Sequence, residues 1–454
     1  MGILLANDCN LPGLGYFVSI FLAMSQSWGK KLQYDSRFDT DDIAHKLVDM
    51  LEALLVAFAA LHIAGNTSHD QLNDMRDLST GYAWGFSVCL AANRSLHLCR
   101  YLEIAWVGDI EPGTENFVMK YVWEQAGSMA IFLAAAVFSN SGWIPKYISN
   151  ADFAAALWFG ASLFDSFFKG TLMLAFPLEK SQRVPMHMNF SLHRIGEFTM
   201  LMIGESVLSL IVGGYFEAVP TFYVVFTTGF VSSTMIQFLY YTTQPFDPDR
   251  HCMRSNMVKG MLWTNCQQVL SISLVAFGVS LKLIAKYHHH NDFPNEYAWF
   301  GSGSLSLCIF LVMVMASLHQ YQEWSLSSLF DLPFRLSPAN RFGTFLGLVK
   351  FSVFAGILGL PLAHPGPKMF SGLTAFFLVI FAVMESMEDR GGSTHSHDTT
   401  EQGSVQLSSH GTSNFKASAP AESRERLSEA ACAQVAQLAR PVSASGISTE
   451  ANAV

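Results

Sequence analysis

Long apolar stretches alternate with short polar segments along most of the chain, from Leu11 to Met387. A helix needs about 20 predominantly apolar residues to cross about 30 Å of hydrocarbon. Eleven stretches meet that requirement: Leu11 to Trp28, Ile43 to Ala64, Thr80 to Trp106, Phe117 to Ser139, Asn150 to Phe176, His193 to Gly213, Val219 to Tyr241, Met257 to Ala285, Ala298 to Leu318, Phe342 to Ala363 and Lys368 to Met387. The pattern predicts an all-α fold, a polytopic transmembrane helical bundle of about 11 spans, within a range of about 10 to 12.

Composition divides the chain into a membrane domain over 1–387 and a tail over 388–454. Half of all residues (50%) are hydrophobic and 14% are charged. From Glu388 to Val454 the sequence is rich in Ser, Thr, Ala, Gln, His and Glu, so it cannot bury enough apolar surface to offset the entropy of ordering. We predict a disordered cytoplasmic tail. Within it, Ala421 to Arg440 is either a transient helix or a segment that folds on a cytoplasmic partner or on the membrane surface.

Positive charges are divided unevenly between alternate loops, and this division predicts the orientation. Cytoplasmic loops retain Lys and Arg. One side receives Lys30, Lys31, Arg37, Lys180, Arg183, Arg250, Arg254, Lys259, Arg335, Arg341 and Arg390, and the other receives Arg76, Lys146, Lys286 and Lys368. The first set should face the cytoplasm, with the N-terminus outside. The first apolar stretch has no basic region before it and no small-residue cleavage site, so we expect a retained helix.

Ionisable residues recur inside the predicted spans, where they are costly and need a partner, a wet cavity or a function. They fall on the second span (His45, Asp49, Glu52), the third (Arg94, His97, Arg100, Glu103) and the sixth (His193, Arg194, Glu197, Glu205). In the second span the spacings of four and three place the set on one helical face, and in the third the steps of three follow a slowly drifting stripe. In the sixth span, spacings of four and eight place three of the residues on one face, with Arg194 beside them. We expect these three sets to form one ion or substrate pathway. The alternative is that they are buried pairs that only lock helices together.

Other polar features have simpler explanations. Asp165 and Lys169 are spaced by four and form a self-contained pair, Glu124 lies in the fourth span, and Lys350 either snorkels or pairs with a distant acid. The seven cysteines are scattered without paired metal-ligand spacing. The run His288 to His290 is best explained as a solvated turn. We therefore expect no metal and no cofactor.

A formal net charge of −9 argues against a nucleic-acid partner. The expected partners are therefore the lipid bilayer and a small solute or ion.

Two motifs resemble the bacterial low temperature requirement A family. The segment Trp28 to Asp42 (WGKKLQYDSRFDTDD) is similar to that family's early loop, in which an aromatic helix end leads into Arg-Phe-Asp-Thr-Asp-Asp. The run His193 to Ser206 is similar to its second signature, a Glu-Arg-x-Gly segment that leads to Leu-Gly-Glu-Ser. The motifs occur in the family's order, and the resemblance covers Leu11 to about Met387.

The resemblance implies a multi-pass membrane architecture more than a reaction. Its motif positions correspond here to Arg37, Asp39, Asp41 or Asp42, Arg194, Gly196, Gly204, Glu205 and Ser206. Two departures stand out. His193 occupies a position where the family usually has Glu. The family's first helix, which carries Glu and Asp near its start, has no counterpart before Leu11.

Our first functional hypothesis is an ion- or proton-coupled transporter of unknown substrate. Glu205 and Glu197 would be its protonatable sites, with Arg94 or Arg194 as charge partners. A second hypothesis is a membrane-embedded, lipid-modifying enzyme that uses His45, Asp49 and His193. No HExxH or GxSxG motif supports an enzyme. A third is a membrane-anchored signalling or scaffold protein whose tail binds partners.

Overall fold

The computed structural model describes residues 11–38, 42–64, 80–107, 114–140, 150–175, 184–212, 220–245, 251–287, 294–320 and 341–396. Within these ranges all regular structure is helical. In chain order the helices are α1 (Leu11–Asp35), α2 (Ile43–Ala64), α3 (Thr80–Val107), α4 (Glu115–Ser139), α5 (Asn150–Ala175), α6 (Met188–Val212), α7 (Pro220–Thr243), α8 (Cys252–Ser255), α9 (Met257–Lys286), α10 (Asn295–Gln320), α11 (Arg341–Gly359) and α12 (Pro367–Ser396). A 3₁₀ turn (Leu360–Ala363) follows α11.

Each predicted apolar stretch coincides with one long helix, which confirms the all-α fold class. Five segments among the described residues are long and apolar enough to cross a membrane: Glu115–Ser139, Phe222–Thr243, Met257–Lys286, Asn295–His319 and Pro367–Ser386. Helices α2, α3 and α6, which are not among these five, carry several ionisable residues. The number of eleven crossings stays a prediction, as does the tail beyond 388, most of which lies outside the described residues.

The helices pack in two groups, α1–α5 and α6–α12, and α1 contacts both. It packs against α3 and α5 in the first group and against α6 and α9 in the second. Phe17 and Phe21 on α1 share a buried cluster with Val275 and Val279 on α9. The Trp28 ring stacks on Phe198 of α6 with centroids 4.3 Å apart. Side chains on α1 can therefore reach the interior of either group.

Helix α2 lies at the edge of the first group. Its contacts within the described residues are chiefly with α3. Much of its surface is apolar and exposed, including Ile43, Leu47, Met50 and Leu61. Such a face suits contact with lipid. The polar contacts between α2 and α3 therefore matter for how firmly α2 is held.

Helices α6 and α9 approach each other closely at Gly278. A Cβ atom built on Gly278 would lie 2.7 Å from the Cα atom of Ser206. Because the obstructing atom is backbone, a larger side chain would force the helices apart. Small residues at such crossings let transmembrane helices pack tightly.

We predict that Gly278→Ala destabilises the protein by about 1–3 kcal/mol, since overpacking displaces the backbone of α6. The measurement is thermal unfolding in detergent, followed by circular dichroism. Gly303→Ala on α10 is the matched control, because nothing lies within 4 Å of its Cβ position. It should be neutral or stabilising by up to about 1 kcal/mol. Equal effects of the two substitutions would contradict the close approach.

Candidate functional site

Four charged side chains lie together in the buried centre of the α1–α5 group. Lys30 on α1 forms an ion pair with Glu124 on α4, and its Nζ lies 3.6 Å from Oδ1 of Asp165 on α5. Arg94 on α3 completes the set, with Nη2 2.9 Å from Oδ2 of Asp165. All four side chains are almost fully buried. We name Lys30, Arg94, Glu124 and Asp165 the core cluster. Its two cations and two carboxylates balance, as burial of charge requires.

A second set of charges connects the start of α2 with the ends of α1 and α3. A carboxylate oxygen of Glu52 lies 3.0 Å from Nε2 of His97, and the other accepts from Arg100 at 3.4 Å. Arg100 also donates to Asp49 at 2.5 Å, and Lys31 Nζ lies 2.6 Å from the same carboxylate oxygen. Lys31 further pairs with Asp35 at 3.0 Å. We name Lys31, Asp35, Asp49, Glu52, His97 and Arg100 the rim cluster.

Exposure falls along this path from the rim inward. The side chains of Asp49 and Lys31 are 33% and 30% exposed, whereas those of Arg100 and His97 are 3% and 0% exposed. On α3, Arg94, His97 and Arg100 follow one another at three-residue steps, each about 4.5 Å along the helix axis. Helix α3 therefore carries a charged stripe that leads from the partly exposed rim to the core cluster.

Several buried polar atoms beside the core cluster have no hydrogen-bond partner among the described residues. Asn93 and Gln125 are fully buried, and each leaves both atoms of its amide unpartnered. Arg94 makes an ion pair with Asp165, but none of its nitrogens has a hydrogen bond. Leaving a buried polar atom unsatisfied costs about 1–3 kcal/mol, so such atoms are nearly always bound to protein, water or a ligand. The region is chemically suited to hold water or a small polar solute.

Arg37, a position of the first motif, fastens the end of α1 to α4. Its guanidinium carbon lies 5.7 Å from the ring centroid of Tyr121 and 5.9 Å from that of Phe117, both within cation–π range. Its Nη1 donates to the backbone oxygen of Gln33 at 2.8 Å. Arg37 therefore connects the end of α1 to α4, and it is not a member of the rim cluster.

Asp42, also a motif position, caps α2. Its Oδ1 accepts from the backbone N–H of His45 at 2.7 Å and lies 2.8 Å from the Nδ1 atom of the same residue. These bonds, the backbone one first, lower the pKa of the Asp42 carboxyl because they favour its charged form. Nε2 of His45 lies 3.3 Å from the hydroxyl of Tyr34. Asp39 and Asp41 lie outside the described residues.

The charges of α6 are not brought to the other two sets. His193 and Arg194 both pair with Glu197, at 3.0 and 2.9 Å, and all three are exposed. Glu205 is exposed too, as is Glu103 near the end of α3. Among the described residues, the charged contacts of His193, Arg194 and Glu197 are therefore within α6 and not with the charges of the second and third spans. Helix α6 packs on α7 and α9 through its apolar side, which turns the charges outward. Their part in a pathway stays a prediction.

Two further motif positions on α6, Gly196 and Ser206, make contacts between helices. The backbone oxygen of Gly196 accepts from the hydroxyl of Tyr241 on α7 at 3.2 Å. The hydroxyl of Ser206 donates to the backbone oxygen of Leu274 on α9 at 3.1 Å. Gly204 has no neighbouring atom within 4 Å of its Cβ position. The motif therefore combines packing residues with the outward-facing Glu205.

Sequence patterns identify Arg94 as a pathway residue but do not bring the core cluster together. They place Lys30 in a loop, whereas α1 continues as a helix to Asp35. They pair Asp165 with Lys169, whose side chain lies outside the described residues, whereas the structure pairs Asp165 with Arg94 and Lys30. The sequence offered one signal that Lys30 is part of a helix: the polar residue Gln26 lies four residues before it. In the structure the amide nitrogen of Gln26 donates to Gln268 at 3.0 Å. A distant acid does bind Lys350, since Glu385 on α12 lies 2.7 Å away.

Comparison with known proteins identifies the family. The family model of the bacterial low temperature requirement A protein (LtrA) matches residues 1–384. The chain belongs to the low temperature requirement A family. With its long apolar helices, this low temperature requirement A protein is a multi-pass integral membrane protein. No curated protein and no solved structure gave a match.

We predict that Asp165→Asn destabilises this low temperature requirement A protein by about 3–5 kcal/mol, because it leaves Arg94 and Lys30 with a single buried carboxylate between them. Thermal unfolding in detergent measures the effect. Glu197→Gln, which breaks exposed pairs on α6, should cost at most about 1 kcal/mol. The double variant Arg94→Met with Asp165→Leu should recover much of the loss, since it removes both charges. A small effect of Asp165→Asn would contradict the pairing.

Proposed function

We propose that this low temperature requirement A protein is a proton-coupled transporter of a small solute or ion, and that the charges between α1 and α5 carry the coupling proton. One observation supports this proposal above the others. The ionisable side chains continue from the partly exposed Asp49 through Glu52 and His97 into the buried core cluster. Ionisable residues buried in membrane proteins mark ion and proton pathways by default.

The rim cluster has the chemistry of a proton relay. His97 and Glu52 lie within hydrogen-bond distance, and an imidazole ring has two nitrogens, so it can take up a proton on one and release a proton from the other. The Nδ1 atom of His97 has no hydrogen-bond partner among the described residues. A proton that reaches Glu52 from the rim can therefore pass to one imidazole nitrogen and leave from the other.

The structural alternative, in which the charges only lock helices together, explains less. A lock needs each charge to be paired, and the ion pairs of the core cluster already achieve this. It gives no reason for the unpartnered amides of Asn93 and Gln125 beside that cluster. Side chains of this kind suit a chain of water molecules or a passing polar solute.

The far end of α1 and α5 offers an approach from the side predicted to be outside. A groove of about 500 Å³ lies there between the two helices and is mostly apolar. Tyr16 and Asp152, which are hydrogen-bonded to each other, supply its polar groups. Asp152 precedes Asp165 by thirteen residues on α5, about 20 Å along the axis. Gln26 on α1 lies at the inner end of that interval, where it donates to Ser166, the residue after Asp165, and to Gln268 on α9.

Coupling would act through α2. This helix packs chiefly on α3, and the side chains of Glu52 and Asp49 form ion pairs that connect the two helices. Protonation of Glu52 would weaken its bonds to His97 and Arg100 and so loosen α2 from α3. A change in charge that biases a helix between two positions is a known basis for alternating access.

No observation favours the lipid-modifying enzyme. His45 is bonded to Asp42 and Tyr34, whereas His193 pairs with Glu197 on the exposed side of α6. Asp49 is engaged by Lys31 and Arg100. These three residues therefore have separate partners and do not converge on one catalytic centre within the described ranges.

Proton flux in liposomes tests the proposal. Purified full-length protein is reconstituted into liposomes that contain a pH-sensitive dye. A potassium diffusion potential is then imposed, with and without mixtures of amino acids, sugars, organic cations and inorganic cations in the external solution. The wild type should acidify the interior, with a rate that depends on one of the mixtures. Glu52→Gln should reduce flux to the level of protein-free liposomes, because the amide cannot accept the proton.

The control is Glu197→Gln, which lies in an exposed pair and should keep the wild-type rate. Glu205→Gln examines the sixth-span carboxylate separately. If Glu52→Gln does not fold, as judged by size-exclusion chromatography, Glu52→Asp replaces it and should retain partial flux. Folded wild-type protein that moves no protons with any mixture would overturn the proposal, as would full flux in folded Glu52→Gln.

A further inference from the structure

A cluster of metal-ligating side chains lies away from the charge network, where α8 meets the end of α10. His251 and Cys252 are buried at the start of α8, and His319 lies near the end of α10. Ligand atoms of the three residues all lie within 4.8 Å of one another. The rings of the two histidines pack with centroids 4.5 Å apart. Three potential ligands from two separate helices thus converge in one place.

The donor set selects a class of metal. Two imidazoles and one thiolate suit zinc and softer transition-metal ions, whereas magnesium and calcium require oxygen ligands. Three protein ligands leave one position of a tetrahedral site open for water or another ligand. This combination is far more specific than a group of exposed carboxylates.

Neighbouring side chains fix the tautomer of His319. The indole N–H of Trp263 can only donate, and it lies 3.3 Å from Oε1 of Gln244, so that oxygen faces the indole. Nε2 of His319 lies 3.1 Å from the same oxygen and must therefore donate to it. Nδ1 of His319 is then left with a lone pair, which accepts from the backbone N–H of Cys252 at 3.2 Å. An imidazole held by a carbonyl through its other nitrogen is the usual second-shell arrangement of a metal ligand.

His251 is available at small cost. Nε2 is buried without a hydrogen-bond partner among the described residues, and Nδ1 accepts only a 3.3 Å bond from the backbone N–H of Met253. Coordination through either nitrogen gives up that one long bond. Burial lowers the pKa of His251 to about 3, so its imidazole is neutral at physiological pH, as a metal ligand must be.

Cys252 would bind as the thiolate. Burial raises the pKa of its thiol to about 12, so the metal must displace a proton, which leaves to solvent. The nearby charge of Lys259 acts in the opposite direction and favours the thiolate. Binding therefore exchanges one proton for one metal ion, and the sulfur is not oxidised.

We propose that His251, Cys252 and His319 form a site for one zinc-class transition-metal ion, which fastens α8 to the end of α10. The site is independent of the proton pathway in α1–α5. It also lies on the side that the distribution of positive charge predicts to be cytoplasmic.

Cobalt substitution tests the site directly. The protein is full-length, tag-free and in detergent, and it carries His288→Ala, His289→Ala and His290→Ala to exclude metal binding by that run. It is stripped with a chelator and titrated with Co²⁺ and then with Zn²⁺. We expect one Co²⁺ per chain, a sulfur-to-cobalt charge-transfer band and displacement by Zn²⁺. Absence of the band in this folded protein would overturn the proposal without any further variant.

Substitutions then assign the ligands. Cys252→Ser should abolish the charge-transfer band, whereas Cys266→Ser, a buried cysteine on α9, should leave it unchanged. His319→Gln and His251→Gln should each weaken Zn²⁺ binding at least about tenfold, and Gln244→Leu by about 10- to 100-fold through loss of orientation. A band that survives Cys252→Ser would place the metal elsewhere and contradict the assignment.

Discussion

The free-energy cost of removing charged side chains from water is the main constraint on how helices α1–α5 pack. Lys30, Arg94, Glu124 and Asp165 lie on four helices and are almost completely buried. Each would be strongly destabilising alone, so the four helices must meet where opposite charges cancel. Apolar packing between helices is weakly directional in lipid, because lipid tails are as apolar as leucine. The ion pairs therefore specify which helices associate and at what depth.

This constraint explains the position of α1 and the contrast between the two helix groups. Lys30 requires α4 and α5 as neighbours, while Phe17 and Phe21 on the same helix pack against α9. The α6–α12 group instead has a large, continuous apolar core and a close crossing at Gly278. In the proposed transport cycle, a proton would alter the charge balance of the first group, while the second group would stay fixed. Helix α2, held at the edge by charged ties, is the natural moving part.

The family signature on α6 shows that a motif does not reveal which way its side chains face. Glu205 stands out in the sequence because it interrupts an apolar stretch, yet its side chain is exposed and its neighbour Ser206 makes the buried contact with α9. Periodicity shows which residues share a helix face, but not whether that face points inward. Glu52 on α2 and Arg94, His97 and Arg100 on α3 follow the same periodicity and do point inward, because those faces meet each other.

Sequence alone determined the membrane class, the all-helical fold and the bounds of nearly every long helix, because helix length and hydropathy are local properties set by bilayer thickness. It also identified most members of the rim cluster. It could not reveal that Lys30 reaches Glu124 and Asp165, or that His251 and Cys252 meet His319, since these contacts join residues far apart in the chain. Only the tertiary structure decided them, because the partners of a buried charge depend on which helix faces meet.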